Sequence, residues 1–136
     1  MRRWRAALLS ALVLALGACS SDKKGAEPDP NVFPANYRME IILTMTRTLD
    51  DPTNIKDAFI TEPVLRPAGR DQRYAVCVRA NSRDINKRYT GSKDWIVYFY
   101  GGQLNQMVDA TKEQCGNAPY KPWPELEKYC LARNCV

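Results

Sequence analysis

The 136-residue chain contains no histidine. Histidine is the commonest general base and the commonest zinc ligand, so its absence disfavours Ser-His and Cys-His nucleophiles and most catalytic zinc sites. No Cys-x-x-Cys pair occurs, and the cysteines lack the paired close spacing of a tetrathiolate zinc site. Glycine is sparse: Gly101-Gly102 stands alone between strand-like runs, so there is no glycine-rich loop to cradle a phosphate. No apolar run approaches the roughly 20 residues that cross a bilayer as a helix. The nearest approach to an acid/base carboxylate pair is Asp50-Asp51, adjacent residues before Pro52 that read better as a turn. These absences predict a non-catalytic protein that needs neither cofactor nor metal.

What is present begins with an address. Arg2, Arg3 and Arg5 precede an apolar run from Ala6 to Leu16 that only Ser10 interrupts, the layout of a secretion signal. Leu16-Gly17-Ala18-Cys19 resembles the lipobox of bacterial lipoproteins. The resemblance implies cleavage before Cys19, a diacylglyceryl thioether on its sulfur and acylation of its new amine. Residues 1–18 are then a signal peptide, and the protein is held at a membrane by covalent lipid. Ser20 after the modified cysteine implies, by the sorting rule of that family, outer-membrane placement with the domain facing the periplasm.

Removing residues 1–18 takes three arginines with it, leaving 17 basic against 15 acidic residues over 118 positions. A net charge of +2 supplies few releasable counterions, so no nucleic-acid partner is expected. Residues 19–32, with the sequence SSDKKGAEPDPNV after Cys19, hold no aromatic residue and two prolines, and read as a flexible tether. Residues 33–136 carry Trp95, Trp123 and all seven tyrosines, enough for one domain with a modest core.

Within that domain Tyr37, Ile41, Ile42, Met45 and Leu49 recur at three- and four-residue steps, predicting an amphipathic helix from Pro34 to Leu49. After a connection at 54–57, Ala58 to Leu65 reads as a strand, and Pro63 places it at an edge or a bulge. Arg73 to Ser82 alternates, with Tyr74, Val76, Val78 and Ala80 on one face and Arg73, Cys77, Arg79 and Asn81 on the other. A polar loop from Arg83 to Lys93 leads to a strand at Trp95 to Tyr100, a two-residue turn at Gly101-Gly102 and a fourth strand from Gln103 to Ala110. The proline-rich remainder reads as extended, apart from a helical turn at Glu125 to Tyr129. The fold class is α+β: an N-terminal helix packed on a four-stranded antiparallel meander, with an extended C-terminal segment.

With Cys19 lipidated, Cys77, Cys115, Cys130 and Cys135 remain in an oxidising compartment, so two disulfides are expected. Of the three pairings, Cys77–Cys115 with Cys130–Cys135 is favoured because the last two are close in sequence. The first bridge would pin the chain after the fourth strand over the sheet's polar side. Arg66, Arg70, Arg73, Arg79, Arg83, Lys87 and Arg88, which Tyr74, Tyr89, Trp95, Tyr98 and Tyr100 could extend with aromatic surface, form either the solvated face of a sheet or an anion-binding surface, for which Arg73, Arg79, Arg83, Lys87 and Arg88 are the candidate residues. Trp123, between Pro122 and Pro124, is either an exposed recognition anchor on that surface or the plug of a small core.

The segments Phe33 to Arg38, Ala75 to Arg79, Cys115 to Ala118 and Pro124 to Glu127 resemble a group of small, uncharacterised proteobacterial envelope lipoproteins. The similarity covers most of residues 33–127 and implies outer-membrane placement without assigning an activity or a functional residue. The expected function is a non-catalytic, lipid-anchored envelope protein that binds another envelope component, protein or glycan. The alternative is an inhibitor or exclusion protein that plugs a periplasmic hydrolase with the loop from Arg83 to Lys93.

Overall fold

The computed structural model describes residues 29–130. The residues expected at the signal cleavage site, Leu16, Gly17 and Ala18, the lipidation candidate Cys19, most of the expected tether and Cys135 lie outside the described residues.

The amphipathic pattern forms α1 (Tyr37–Thr48), which buries Tyr37, Ile41, Ile42 and Met45. Pro34 sits just ahead of the helix, where its carbonyl accepts the Tyr37 N–H at 3.1 Å. Leu49 leaves the helix with extended backbone, φ −75° and ψ 144°. The chain then runs directly into β1 (Asp51–Ile60), followed by β2 (Val64–Ala68), β3 (Asp71–Arg83), β4 (Tyr89–Tyr100) and β5 (Gln103–Asp109).

The sheet is antiparallel with six strands rather than four. Two features of the sequence concealed the additional ones. Asn54 and Asp57 read as turn residues, yet they are bulge residues inside β1, each at φ 53°, the left-handed conformation that Asn and Asp tolerate best. Pro63, which cannot donate to a ladder, divides the stretch expected as one strand into the end of β1 and a separate β2. Both pair with the same long strand: β1 aligns Ile60 with Val78, and β2 aligns Val64 with Ala75. The order is β5-β4-β3-β1-β6, with β2 beside β3, where β6 is the two-residue strand Lys121–Pro122.

The turns follow from local chemistry. Gly101 and Gly102 both have positive φ, 59° and 80°, and close the β4–β5 hairpin as expected. The expected loop from Arg83 to Lys93 is mostly hairpin, because β4 resumes at Tyr89. Only residues 84–88 turn, and the Asp84 carboxylate holds them by accepting the N–H groups of Asn86 (2.8 Å) and Arg88 (3.0 Å).

Helix α1 and a second short helix, α2 (Pro124–Tyr129), pack on one face of the sheet around a core that includes Ile41, Met45, Val76, Val97, Phe99 and Trp123. The opposite face is covered by residues 110–120, which contribute Cys115 and partly buried Ala110, Ala118 and Tyr120 over Ala75, Cys77 and Ile96. That segment is not wholly extended. Lys112–Gly116 forms a π-helical turn, capped reciprocally by the Thr111 hydroxyl, which accepts the Gln114 N–H (3.2 Å), and the Gln114 side chain, which accepts the Thr111 N–H (2.9 Å).

The Cys77–Cys115 disulfide is formed, as expected, and holds this segment to the middle of β3. Cys130 is disulfide-bonded too, and its carbonyl accepts the Asn54 N–H at 3.0 Å, so the chain after α2 is docked on β1.

Candidate functional site

The six side chains proposed as a binding surface are distributed over both faces and both ends of the sheet. Trp123 is fully buried, which excludes the exposed-anchor reading. Its backbone N–H donates to Ala58 O at 2.8 Å, so β1 fixes its position and its ring fills the core between α2 and the sheet.

Each of the five cations has a carboxylate partner. Arg73 pairs with Asp71 at 3.4 Å, and its guanidinium lies 4.7 Å from the centre of the Tyr100 ring. Arg79 makes a two-pronged contact with Asp94 at 2.6 and 2.8 Å and stacks on Tyr120 at 4.3 Å. These bonds raise the Arg79 pKa further, while burial, with the Asp94 charge second, pushes the Tyr120 hydroxyl up to about 12. Arg88 pairs with Asp84 at 3.8 Å across the turn.

Arg83 and Lys87 converge on one buried carboxylate, Asp51, at 2.9 and 3.2 Å. Thr53 completes that site: its N–H (3.0 Å) and hydroxyl (2.5 Å) donate to Asp51, and its oxygen accepts from Arg83 at 2.8 Å. Burial pushes the Asp51 pKa upward, but the Thr53 hydrogen bonds and the two cations outweigh it and bring the pKa down to about 2. Asp51 is thus more than a turn residue: it opens β1 and ties it to the β3–β4 hairpin. Arg79 and Arg83 are thus held by their carboxylates, whereas the Lys87 and Arg88 side chains stay 64 and 75% exposed and their ion pairs are weak.

One of these cations, Arg83, also lines an open cleft. The cleft, of about 500 Å³, separates the C-terminal half of α1 from the β4–β5 side of the sheet. Its floor is Trp95, Leu104 and Met107. The α1 wall presents Thr44 and Thr48, whose hydroxyls donate to the carbonyls of Glu40 (2.8 Å) and Thr44 (2.9 Å) and so offer acceptor lone pairs outward. Asp50, Asp84 and Asp109 add carboxylates, and Asn105 and Gln106 add amides. Lys93 bridges the rim to Asp109 at 2.8 Å, with its ammonium 5.4 Å from the centre of the Trp95 ring. An apolar floor beneath acceptor-rich walls suits non-covalent recognition of a chain that donates hydroxyl or amide hydrogens.

Sequence reading missed this cleft because its residues come from four elements, with α1 distant in the chain from β3, β4 and β5. The one local signal was the exposed side of β5, where Asn105 and Gln106 interrupt the alternation. Compared with known proteins, the chain matches no family model, no curated protein and no solved structure.

Proposed function

We propose that the protein is a non-catalytic, lipid-anchored envelope protein that uses the cleft between α1 and β5 to bind another envelope component. The observation that carries this reading is the position of the cleft relative to the point where the tether joins the fold. Residues 29–32, expected to belong to the tether, lie at the β4–β5 turn: Pro30 O accepts the Gly101 N–H at 3.3 Å, and Val32 lies against Gly102. The cleft runs along the sheet from Leu104, just after that turn, to Asp50, Ser82 and Asp84 at the other end. The 13 residues of β3 separate the two ends by about 40 Å, at roughly 3.3 Å per residue. A domain anchored through Cys19 would hold the Asp50, Ser82 and Asp84 end of the cleft away from the lipid, toward whatever the compartment offers.

The test is a photo-crosslinking amino acid at Asn105, on the cleft rim, in the full-length chain in cells. A discrete adduct is expected from Asn105 and not from Lys128 on α2. Equal labelling from both positions, or from neither, refutes the cleft reading. Palmitate incorporation should be lost in Cys19→Ser, and unchanged incorporation would refute the anchor.

A second reading has its own observation. Ile85, at the tip of the β3–β4 hairpin, is 78% exposed, an apolar side chain at the end of a braced projection, as an inserting loop of a hydrolase inhibitor would need. Inhibition of a captured hydrolase that Ile85→Asp abolishes would select this reading over the first.

A further inference from the structure

We propose that the end of the sheet where the tether joins the fold rests on a phospholipid surface, with Val32, Phe33 and Leu65 entering the headgroup boundary and Arg70 meeting a lipid phosphate. The proposal builds on the Cys19 anchor and adds the orientation of the domain.

Val32, Phe33 and Leu65 are 45, 51 and 44% exposed, a high share for apolar side chains in one neighbourhood. Phe33 packs edge-on against Tyr74 with ring centres 5.4 Å apart, and Tyr74 lies directly across from Leu65 in the β2–β3 pair. Val32 sits on the adjacent β4–β5 turn, so the three side chains belong to the same end of the molecule. Between β2 and β3 the chain turns at Gly69 (φ 65°) and Arg70. Arg70 is exposed and has no carboxylate partner among the described residues, unlike Arg73, Arg79, Arg83, Lys87 and Arg88. The carboxylates nearest in the chain are Asp71, taken by Arg73, and Asp29, whose Oδ1 accepts the Asn31 N–H. An apolar patch with one uncommitted guanidinium matches the boundary between acyl chains and phosphodiesters.

The length of the tether argues for this occupant. Nine residues separate Cys19 from Asp29, where the described fold begins, and a chain of that length, with the composition expected of a tether, would have a root-mean-square span of about 17 Å. A lipid at Cys19 would keep the patch at a local concentration in the millimolar range relative to the surface, so contacts too weak to bind a free protein suffice to dock a tethered one. Docking at this end would leave open the part of the cleft near Asp50, Ser82 and Asp84.

The experiment uses the full-length acylated chain in phosphatidylcholine–phosphatidylglycerol vesicles whose acyl chains carry bromine, a quencher of tryptophan fluorescence. Phe33→Trp places a reporter in the patch and Ile85→Trp places one at the opposite tip, against the background of buried Trp95 and Trp123. Strong quenching and a blue-shifted emission are expected for Phe33→Trp and not for Ile85→Trp. Arg70→Glu, added to Phe33→Trp, should reduce the quenching, and unchanged quenching would overturn the arginine's part. Quenching of Phe33→Trp no greater than that of Ile85→Trp overturns the docking proposal. Palmitate content, measured on the same preparation, separates the two failures: an acylated chain with an unquenched reporter refutes docking alone, whereas a quenched chain without palmitate keeps docking and refutes the anchor.

Discussion

The two faces of the sheet are held by different physics. On the helix face fifteen buried residues form one cluster, and the burial of side chains such as Ile41, Met45, Phe99 and Trp123, at roughly 25 cal/mol per Å² of apolar area, is sufficient to hold α1 and α2 in place. On the opposite face only Ala75, Cys77, Ile96 and Cys115 are fully buried in the cluster, too small a group to hold residues 110–120 by itself. A covalent bond and a charged stack supply the difference: Cys77–Cys115, and the Asp94–Arg79–Tyr120 arrangement beside it. A small domain can thus cover both faces of its sheet with only one true hydrophobic core.

Four measurements would break or sharpen that contrast. The largest effect is expected from Cys77→Ala with Cys115→Ala. The bridge spans a sequence separation of 38, and chain entropy assigns a loop of that size about 4 kcal/mol. Hydrogen exchange should show residues 110–120 opening while α1 keeps its protection, and simultaneous loss in both would mean that the faces are not independent. Next comes Ile41→Ala, a truncation at a fully buried position of the helix face, expected to cost about 3 kcal/mol by chemical denaturation. A cost below about 1 kcal/mol would show that α1 is not held by burial.

The third concerns Asp51, at the strand end beyond both clusters. Its folded pKa of about 2 lies below the ordinary carboxylate value near 4. The carboxylate therefore contributes stability that is fully present above pH 4 and lost as pH falls toward 2. The amount is about 2 kcal/mol. Asp51→Asn should lower stability at pH 7 by a similar amount and flatten the acid limb of a stability–pH curve, and an unchanged limb would exclude Asp51 as its source. The smallest effect is expected for Arg79→Ala. Its side chain and that of Asp94 remain partly exposed, 33 and 18%, so solvent screening limits the loss to about 1 kcal/mol. A larger loss would mean that the ionic stack matters more to this face than its few apolar contacts.

Several of these features could be read directly from residues. The three- and four-residue spacing from Tyr37 to Met45 was enough for α1, the alternation around Val76 and Val78 for the centre of β3, and Gly101-Gly102 for the β4–β5 turn. Cys77 and Cys115 pair as expected from setting aside Cys130 and Cys135, which are close in sequence. The π-helical turn overturned the extended reading of its segment, which passed over the capping-box spacing of Thr111 and Gln114. The partners of Arg73, Arg79, Arg83, Lys87 and Arg88 were not legible, since a run of cations in sequence does not reveal that Asp51, Asp71, Asp84 and Asp94 meet them in the fold.

The sequence by itself determined the local order of the chain: where backbone periodicity is 3.6 or 2, where positive φ is tolerated, and which cysteine belongs near which strand. Those properties depend on neighbours within a few residues. The tertiary structure alone decided that Asn54 and Asp57 bulge within a strand instead of ending one, that Trp123 is buried, that Arg79 and Arg83 are held by their carboxylates and that a cleft opens between α1 and β5. Each of these depends on which groups from distant parts of the chain arrive at the same place, and burial and pairing energies belong to that meeting rather than to either segment alone.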